Sequence, residues 1–182
     1  MQALHPHRYR PAAQALHWLT LVLVVLAFCL MEFKSIYPKG SAGRLAMMDW
    51  HYSVGLWIWA MTGLRLLLRL SGPVPAIEPA PPAWQARLAS AMHGVLYLWL
   101  LGLPLLGWLA ASAAGSPVQA FGLTLPQPML PERNLAHDLK EVHEALASAG
   151  YALLGLHAAA ALYHHFHLRD NSLRLMLPAR RG

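Results

Sequence analysis

The chain has 182 residues, of which 57% are hydrophobic and only 12% are charged, whereas an ordinary soluble domain carries roughly 25% charged residues. This apolar content excludes a disordered chain, and the presence of one cysteine, Cys29, excludes a disulfide scaffold within the chain. A membrane protein or an unusually apolar soluble protein remains, and the distribution of charge decides between them.

Four long apolar segments predict four membrane-spanning helices. At about 1.5 Å per residue, each segment is long enough to cross a hydrocarbon core of about 30 Å. Pro104 lies inside the third segment, where neighbouring groups can satisfy the freed backbone. We therefore predict an all-α, integral membrane four-helix bundle that forms a single domain over residues 1–182. The predicted helices cover about residues 11–32, 49–70, 88–112 and 143–167.

The first segment is predicted to be a retained helix rather than a signal peptide. It exceeds the 7–15 residues of a signal-peptide apolar region, and the Glu32-Phe33-Lys34-Ser35 string that follows is not a small-residue cleavage site. Among the connections, the proline-rich segment 71–82 reads as a stiff linker. The string Phe121-Gly122-Leu123 indicates an ordered cap over the opposite ends of the helices.

The Lys and Arg residues predict the orientation of the bundle. Of the 14 in the chain, nine fall on the side of the two termini and five on the other side, so the positive-inside rule places both termini in the cytoplasm. The nine are Arg8, Arg10, Arg65, Arg69, Arg87, Arg169, Arg174, Arg180 and Arg181, and the five are Lys34, Lys39, Arg44, Arg133 and Lys140. The basic pI of 9.9 is thus a sign of topology, and we expect no nucleic-acid partner.

Histidines at membrane depth are the candidate functional residues. His143 and His157 are 14 residues apart on the fourth helix, so they share a face and lie about 21 Å apart along its axis. By topology, His17 on the first helix is level with His157, and His51 on the second is level with His143. Taken one at a time, each could instead form a hydrogen bond between helices, since any polar group at this depth needs a partner.

Two facing imidazoles are what a six-coordinate haem iron requires, one on each side of the porphyrin. The spacing therefore predicts two haem groups, one held by His17 and His157 and the other by His51 and His143. A zinc or copper site is disfavoured because neither pair has a visible third or fourth ligand. Small residues near Gly150 could admit a porphyrin, or could equally serve helix packing.

Several strings in the chain resemble the bacterial cytochrome b561 family. The resemblance extends from Tyr9 to Pro178, and its strings keep the family's spacing. They are Ala15-Leu16-His17-Trp18, Met31-Glu32-Phe33, Gly63-Leu64-Arg65-Leu66-Leu67-Leu68-Arg69, Phe121-Gly122-Leu123-Thr124, Val142-His143-Glu144 and the stretch from Gly155 to His165.

This resemblance implies haem b at the same four histidines. Within the family the chain is most like the superoxide oxidases, which are superoxide:ubiquinone oxidoreductases of the bacterial inner membrane. The resemblance thus implies an enzyme that oxidises superoxide to O2 at the periplasmic side and reduces ubiquinone. A cytochrome b anchor subunit, which would pass electrons between a periplasmic dehydrogenase or carrier protein and the quinone pool, is the alternative. A non-redox metal-binding or transport bundle is disfavoured because the helix faces are nearly all apolar.

Further residues are candidates for the two ends of this electron path. His164 lies seven residues after His157, where its imidazole could contact a quinone and pass a proton, or could merely mark the helix end or bind a surface metal. Arg65 and Arg69 could pair with haem propionates or serve as membrane anchors, and His93 reads as a propionate contact or a neighbour of a ligand. Five cations could guide superoxide, although six acidic residues share their side. These cations are Lys34, Lys39, Arg44, Arg133 and Lys140.

Overall fold

Four long helices dominate the computed structural model, which describes residues 8–120 and 122–178. Each is long and apolar enough to cross a membrane, which confirms the predicted all-α membrane bundle. They are α1 (Pro11–Phe33), α2 (Ala42–Leu70), α3 (Ala83–Ala113) and α4 (Arg133–Tyr163). Shorter elements are a 3-10 turn (Lys34–Ile36), the strands β1 (Gln119–Ala120) and β2 (Leu123–Thr124), a π-helical turn (His164–Leu168) and α5 (Ser172–Met176).

Three of the long helices begin earlier than predicted. The prediction started each helix where charged residues stop, but charged turns that extend beyond the apolar segment remain helical. Helix α2 begins after Ser41, whose hydroxyl accepts a hydrogen bond from the backbone of Arg44. The carboxylate of Glu132 caps α4 in the same way, by accepting from the amides of Asn134 and Leu135. Capping residues, rather than the loss of hydropathy, therefore define where α2 and α4 start, whereas α3 begins directly after Pro82 without a side-chain cap.

The helices pack in the order α1, α2, α3 and α4, with each one contacting the next. A small apolar cluster of Val24, Val54, Ile58 and Leu100 lies at the centre of this packing. Many large apolar side chains, by contrast, lie on the outer faces of the helices. Such exposed apolar surface is expected where lipid, and not water, surrounds a protein.

The two ends of the bundle differ. One end, called here the termini end, carries the residues before α1, the segment 71–82 and the residues after α4. Its parts are tied together, since Trp18 Nε1 donates a hydrogen bond to the carbonyl of Met176 at 2.9 Å. The other, the loop end, carries residues 34–41 and 114–132, where β1 and β2 pair as an antiparallel hairpin. The hairpin occupies the position of the predicted cap, although Phe121 itself lies outside the described residues, as do Arg180 and Arg181.

Candidate functional site

At the loop end, His51 of α2 faces His143 of α4. The centroids of the two rings are 6.4 Å apart, and the ring planes are nearly perpendicular, at 86°. Nδ1 of His51 lies 3.1 Å from the carbonyl of Ala27, and Nδ1 of His143 lies 3.1 Å from the carbonyl of Leu103. Because a carbonyl only accepts hydrogen bonds, each Nδ1 carries the proton and each Nε2 keeps its lone pair. Both imidazoles are therefore oriented as metal ligands usually are.

The backbone of α3 makes room for one of these rings at Gly107. A Cβ atom built there would lie 2.9 Å from Cε1 of His143 and 3.1 Å from its Nδ1. Leu103 lies one helical turn before Gly107, so the missing side chain gives the imidazole access to the Leu103 carbonyl. Gly107 is thus a site residue that the sequence analysis did not single out.

At the termini end, His17 of α1 faces His157 of α4 with the same centroid distance, 6.4 Å. Here Arg65 Nη2 donates a hydrogen bond to Nδ1 of His17 at 3.0 Å. A guanidinium can only donate, so Nδ1 of His17 is an acceptor. For His17 to bind iron through Nε2 with Nδ1 protonated, Arg65 has to turn away. In this structure Arg65 therefore contacts the His17 ring, and its guanidinium also lies 5.8 Å from the centre of the Tyr97 ring.

A third histidine joins the termini-end pair. The ring of His93 in α3 lies 5.7 Å from that of His157, at an interplanar angle of 71°. The sequence analysis left His93 without a histidine partner, because it assigned each histidine to one pair only. His157 in fact contacts two imidazoles, one from α1 and one from α3.

Both main pairs fit a haem iron by their spacing. Two metal–imidazole bonds of about 2 Å each, together with roughly 1 Å from each nitrogen to its ring centre, would place the centroids about 6 Å apart. Each pair also joins two helices that are not neighbours in the packing order. Helix α4 packs on α3, but its histidines face His17 of α1 and His51 of α2. Each pair thus supplies two imidazoles, and the porphyrin would supply the four equatorial nitrogens.

An aromatic layer separates the two pairs. A Cβ atom at Gly150 would lie 2.2 Å from Cζ2 of Trp99, so this glycine accommodates the indole. Trp99 Nε1 donates a hydrogen bond to the carbonyl of Leu146 at 2.9 Å, and its ring stacks at 6.5 Å on Phe28 of α1. Of the two roles that the sequence left open for Gly150, the structure shows helix packing.

Beyond α4, His164 is held by a carboxylate that the sequence analysis did not consider. Its Nδ1 lies 2.6 Å from Oδ2 of Asp170, and Asp170 is almost completely buried. His164 opens the π-helical turn, and Arg169, with a φ of 56°, closes it in the left-handed conformation. This reversal returns the chain onto the helix end, which a helical wheel could not have revealed.

The five cations proposed as superoxide guides do not converge. Lys34 lies two helical turns after Ala27, whose carbonyl contacts His51, and its Nζ donates to Sδ of Met31 at 3.7 Å. Arg44 donates hydrogen bonds to the carbonyls of Lys34 and Tyr37, and Lys140 pairs with Glu144 at 2.9 Å. The remaining two, Lys39 and Arg133, are exposed.

Four membrane helices that present facing imidazoles at two levels are the arrangement expected of a membrane-bound cytochrome. The comparison with protein families agrees, since the model of the prokaryotic cytochrome b561 family matches residues 8–179. The chain belongs to this family. Its class is therefore that of membrane electron-transfer proteins that bind haem b.

Similar proteins extend over almost the whole chain. It is 37% identical over 175 residues to "Cytochrome b561 homolog 1" of Escherichia coli K12, which covers 96% of this chain and 99% of that protein. It is 38% identical over 167 residues to a Yersinia pestis protein named "Probable superoxide oxidase CybB", covering 92% and 94%. "Cytochrome b561 homolog 2" of Escherichia coli K12 is 28% identical over 173 residues, covering 94% and 92%.

Proposed function

We propose that the chain holds two haems b, one between His17 and His157 and the other between His51 and His143. The observation that carries this proposal is the repeated centroid distance of 6.4 Å at two levels of the bundle. When bound, the haems supply one-electron carriers in series between the two membrane faces. The imidazoles orient them, and the surrounding apolar helices exclude water from the path.

The reaction we propose is the oxidation of superoxide at the loop end and the reduction of ubiquinone near the termini end. Two superoxide ions give up two electrons and leave as two O2 molecules, and one ubiquinone takes those electrons with two protons to become ubiquinol. The name of the Yersinia pestis relative supports this substrate pair. A haem held by two histidines would supply electron transfer rather than oxygen binding.

His164 is our proposed quinone contact. It lies just beyond the last turn of α4, and its side chain is 22% exposed, so a carbonyl oxygen can reach it from the lipid side. An imidazole there can donate a hydrogen bond to that oxygen and pass it a proton. The charge asymmetry of the sequence supports the bacterial inner membrane as the location, with the termini end in the cytoplasm.

The first experiment measures the ratio of haem to protein, together with a reduced-minus-oxidised spectrum. We expect two haems b in the wild type and one in each of His143→Ala and His157→Ala, because each variant loses one axial ligand. His137→Ala is the matched control, since His137 lies on α4 but its side chain is 67% exposed. A wild-type protein with one haem, or variants that keep both haems, would contradict the proposed ligands.

A second experiment tests the substrates. Haem-loaded protein in detergent is supplied with superoxide and a short-chain ubiquinone, and O2 release is compared with ubiquinol formation. We expect two O2 for each ubiquinol. If superoxide does not reduce the protein while added quinol does, the anchor-subunit alternative replaces superoxide oxidation.

A further inference from the structure

Asp170 is a buried acidic residue to which the fold gives a defined partner. Its side chain is 3% exposed, and its two carboxylate oxygens have different roles. Oδ2 lies 2.6 Å from Nδ1 of His164, while Oδ1 accepts a hydrogen bond from the backbone amide of Ser172 at 2.9 Å. One carboxylate therefore both begins α5 and holds the imidazole that we propose as the quinone contact.

The backbone around Asp170 keeps this contact in place. Its amide donates to the carbonyl of His164 at 3.2 Å, so the two residues are joined through both backbone and side chain. Asn171 anchors the same turn to the segment 71–82: its side chain accepts from the amide of Glu78 at 2.9 Å and donates to the carbonyl of Ala76 at 3.3 Å. The carboxylate itself is held beside the ring by the backbone bond between Asp170 and His164 and by the amide of Ser172.

The carboxylate is ionised in this environment. Burial would raise the pKa of Asp170, but hydrogen bonds from Ser172 and His164 outweigh burial and hold the pKa below its ordinary value. An ionised carboxylate only accepts hydrogen bonds, so Nδ1 of His164 carries a proton that points at Asp170. Nε2 is then the nitrogen that remains to contact a quinone oxygen.

We propose that Asp170 is a positioning residue for quinone reduction, which orients His164 so that Nε2 faces a quinone oxygen and can pass a proton to it. This inference rests on the proposed quinone contact. In the step, water at the termini end supplies a proton to Nε2 of His164, and this Nε2–H bond then breaks as an O–H bond forms on the quinone. The electrons are those that superoxide supplies in the proposed reaction.

The test uses the haem-loaded full chain, reduced with dithionite under argon and mixed with a short-chain ubiquinone. We expect Asp170→Asn to slow reoxidation at saturating quinone by about tenfold to a hundredfold, the usual range for the loss of a positioned proton donor. Quinone binding to the oxidised protein should stay within about twofold of wild type, because the ring remains present. Asp170→Glu, which keeps the charge, should recover part of the rate.

Two comparisons separate positioning from a general effect on the fold. Asn171→Ala removes the two side-chain bonds to the segment 71–82 but keeps the backbone bond from Asn171 to the carbonyl of Glu78 and the bonds of Asp170 itself, so its rate should match wild type. In the His164→Gln background, either change at Asp170 should slow the reaction no further, since Asp170 acts through that ring. If Asp170→Asn does not fold, Asp170→Glu in the two backgrounds provides the same comparison.

The outcomes distinguish this inference from the proposed function. A wild-type rate in Asp170→Asn, or slowing of Asn171→Ala equal to that of Asp170→Asn, would overturn the role of Asp170. If His164→Gln is slow in the same experiment, His164 still stands as the quinone contact. A wild-type rate in His164→Gln would overturn the quinone contact itself, and the role of Asp170 with it.

Discussion

At the scale of single residues, the loop-end pair depends on an absent side chain. His143 reaches the Leu103 carbonyl only because Gly107 has no Cβ atom in the way. That hydrogen bond leaves Nε2 of His143 free and pointed across the bundle. The geometry of the proposed ligand is therefore set by a residue on a different helix, which contributes no chemistry of its own.

Replacing Gly107 with alanine should disturb that pair selectively. The new Cβ atom would lie 2.9 Å from the His143 ring, so the ring must shift, at a cost of about 1–3 kcal/mol for overpacking. We expect a weakened or lost loop-end haem in the difference spectrum and an intact termini-end haem. Gly102→Ala on the same helix is the control, because a Cβ atom there meets nothing within 4 Å. Full haem content in Gly107→Ala would show that the ring has room to move.

At the scale of elements, α5 is a short helix whose stability comes from α1. Gln14, which is 5% exposed, donates from Nε2 to the carbonyl of Leu175 at 2.9 Å, and Trp18 bonds the next carbonyl along. A helix of five residues has little stability alone. The tail that carries Asp170 is therefore held in place largely by the first helix of the bundle.

The variant Gln14→Leu should loosen this tail. The Leu175 carbonyl would lose a buried partner, which costs about 1–2 kcal/mol and raises the undocked population roughly fivefold to thirtyfold. We expect faster tryptic cleavage after Arg169 and Arg174 in the detergent-solubilised protein. Gln119→Leu at the loop end serves as the control and should leave cleavage unchanged. Equal cleavage in Gln14→Leu and wild type would mean that the bonds from Trp18 and from the amide of Tyr9 hold α5 without Gln14.

Much of this arrangement could be predicted from the sequence, and the remainder has physical reasons for being hidden. Helix number and the pairing of His17 with His157 follow from hydropathy and a fixed rise per residue, both of which are local properties. The contact between His164 and Asp170 depends on a π-helical turn and on a left-handed Arg169. The position of His93 next to His157 depends on how α3 rotates in the bundle, which spacing along one helix does not determine.

At the scale of the whole molecule, the distribution of charged residues accounts for the predicted orientation in the membrane, but it does not provide a field that attracts superoxide to the loop end. The loop end carries five cations but six acidic residues, namely Glu32, Asp49, Glu132, Asp138, Glu141 and Glu144. Some cations are also engaged locally, as in the pair of Lys140 with Glu144. A long-range field that draws superoxide to this end is therefore not expected, and any guidance has to come from a cation near the haem edge.

Lys34 is that cation, because it is half-buried and follows Ala27, the residue whose carbonyl contacts His51, by two helical turns. Lys34→Gln should lower the rate of haem reduction by superoxide about twofold to fivefold at an ionic strength of about 10 mM, and the difference should shrink at about 500 mM, where the Debye length is only a few ångströms. Pulsed generation of superoxide with optical detection of reduced haem measures both rates. Lys39→Gln, also at the loop end but exposed, should change the rate little.

If both variants slow the reaction equally, superoxide responds to the total charge of the loop end, and the predicted local role of Lys34 is wrong. If Lys34→Gln slows it equally at both salt concentrations, the loss is one of local structure, because the Coulombic attraction of an approaching anion must weaken with screening.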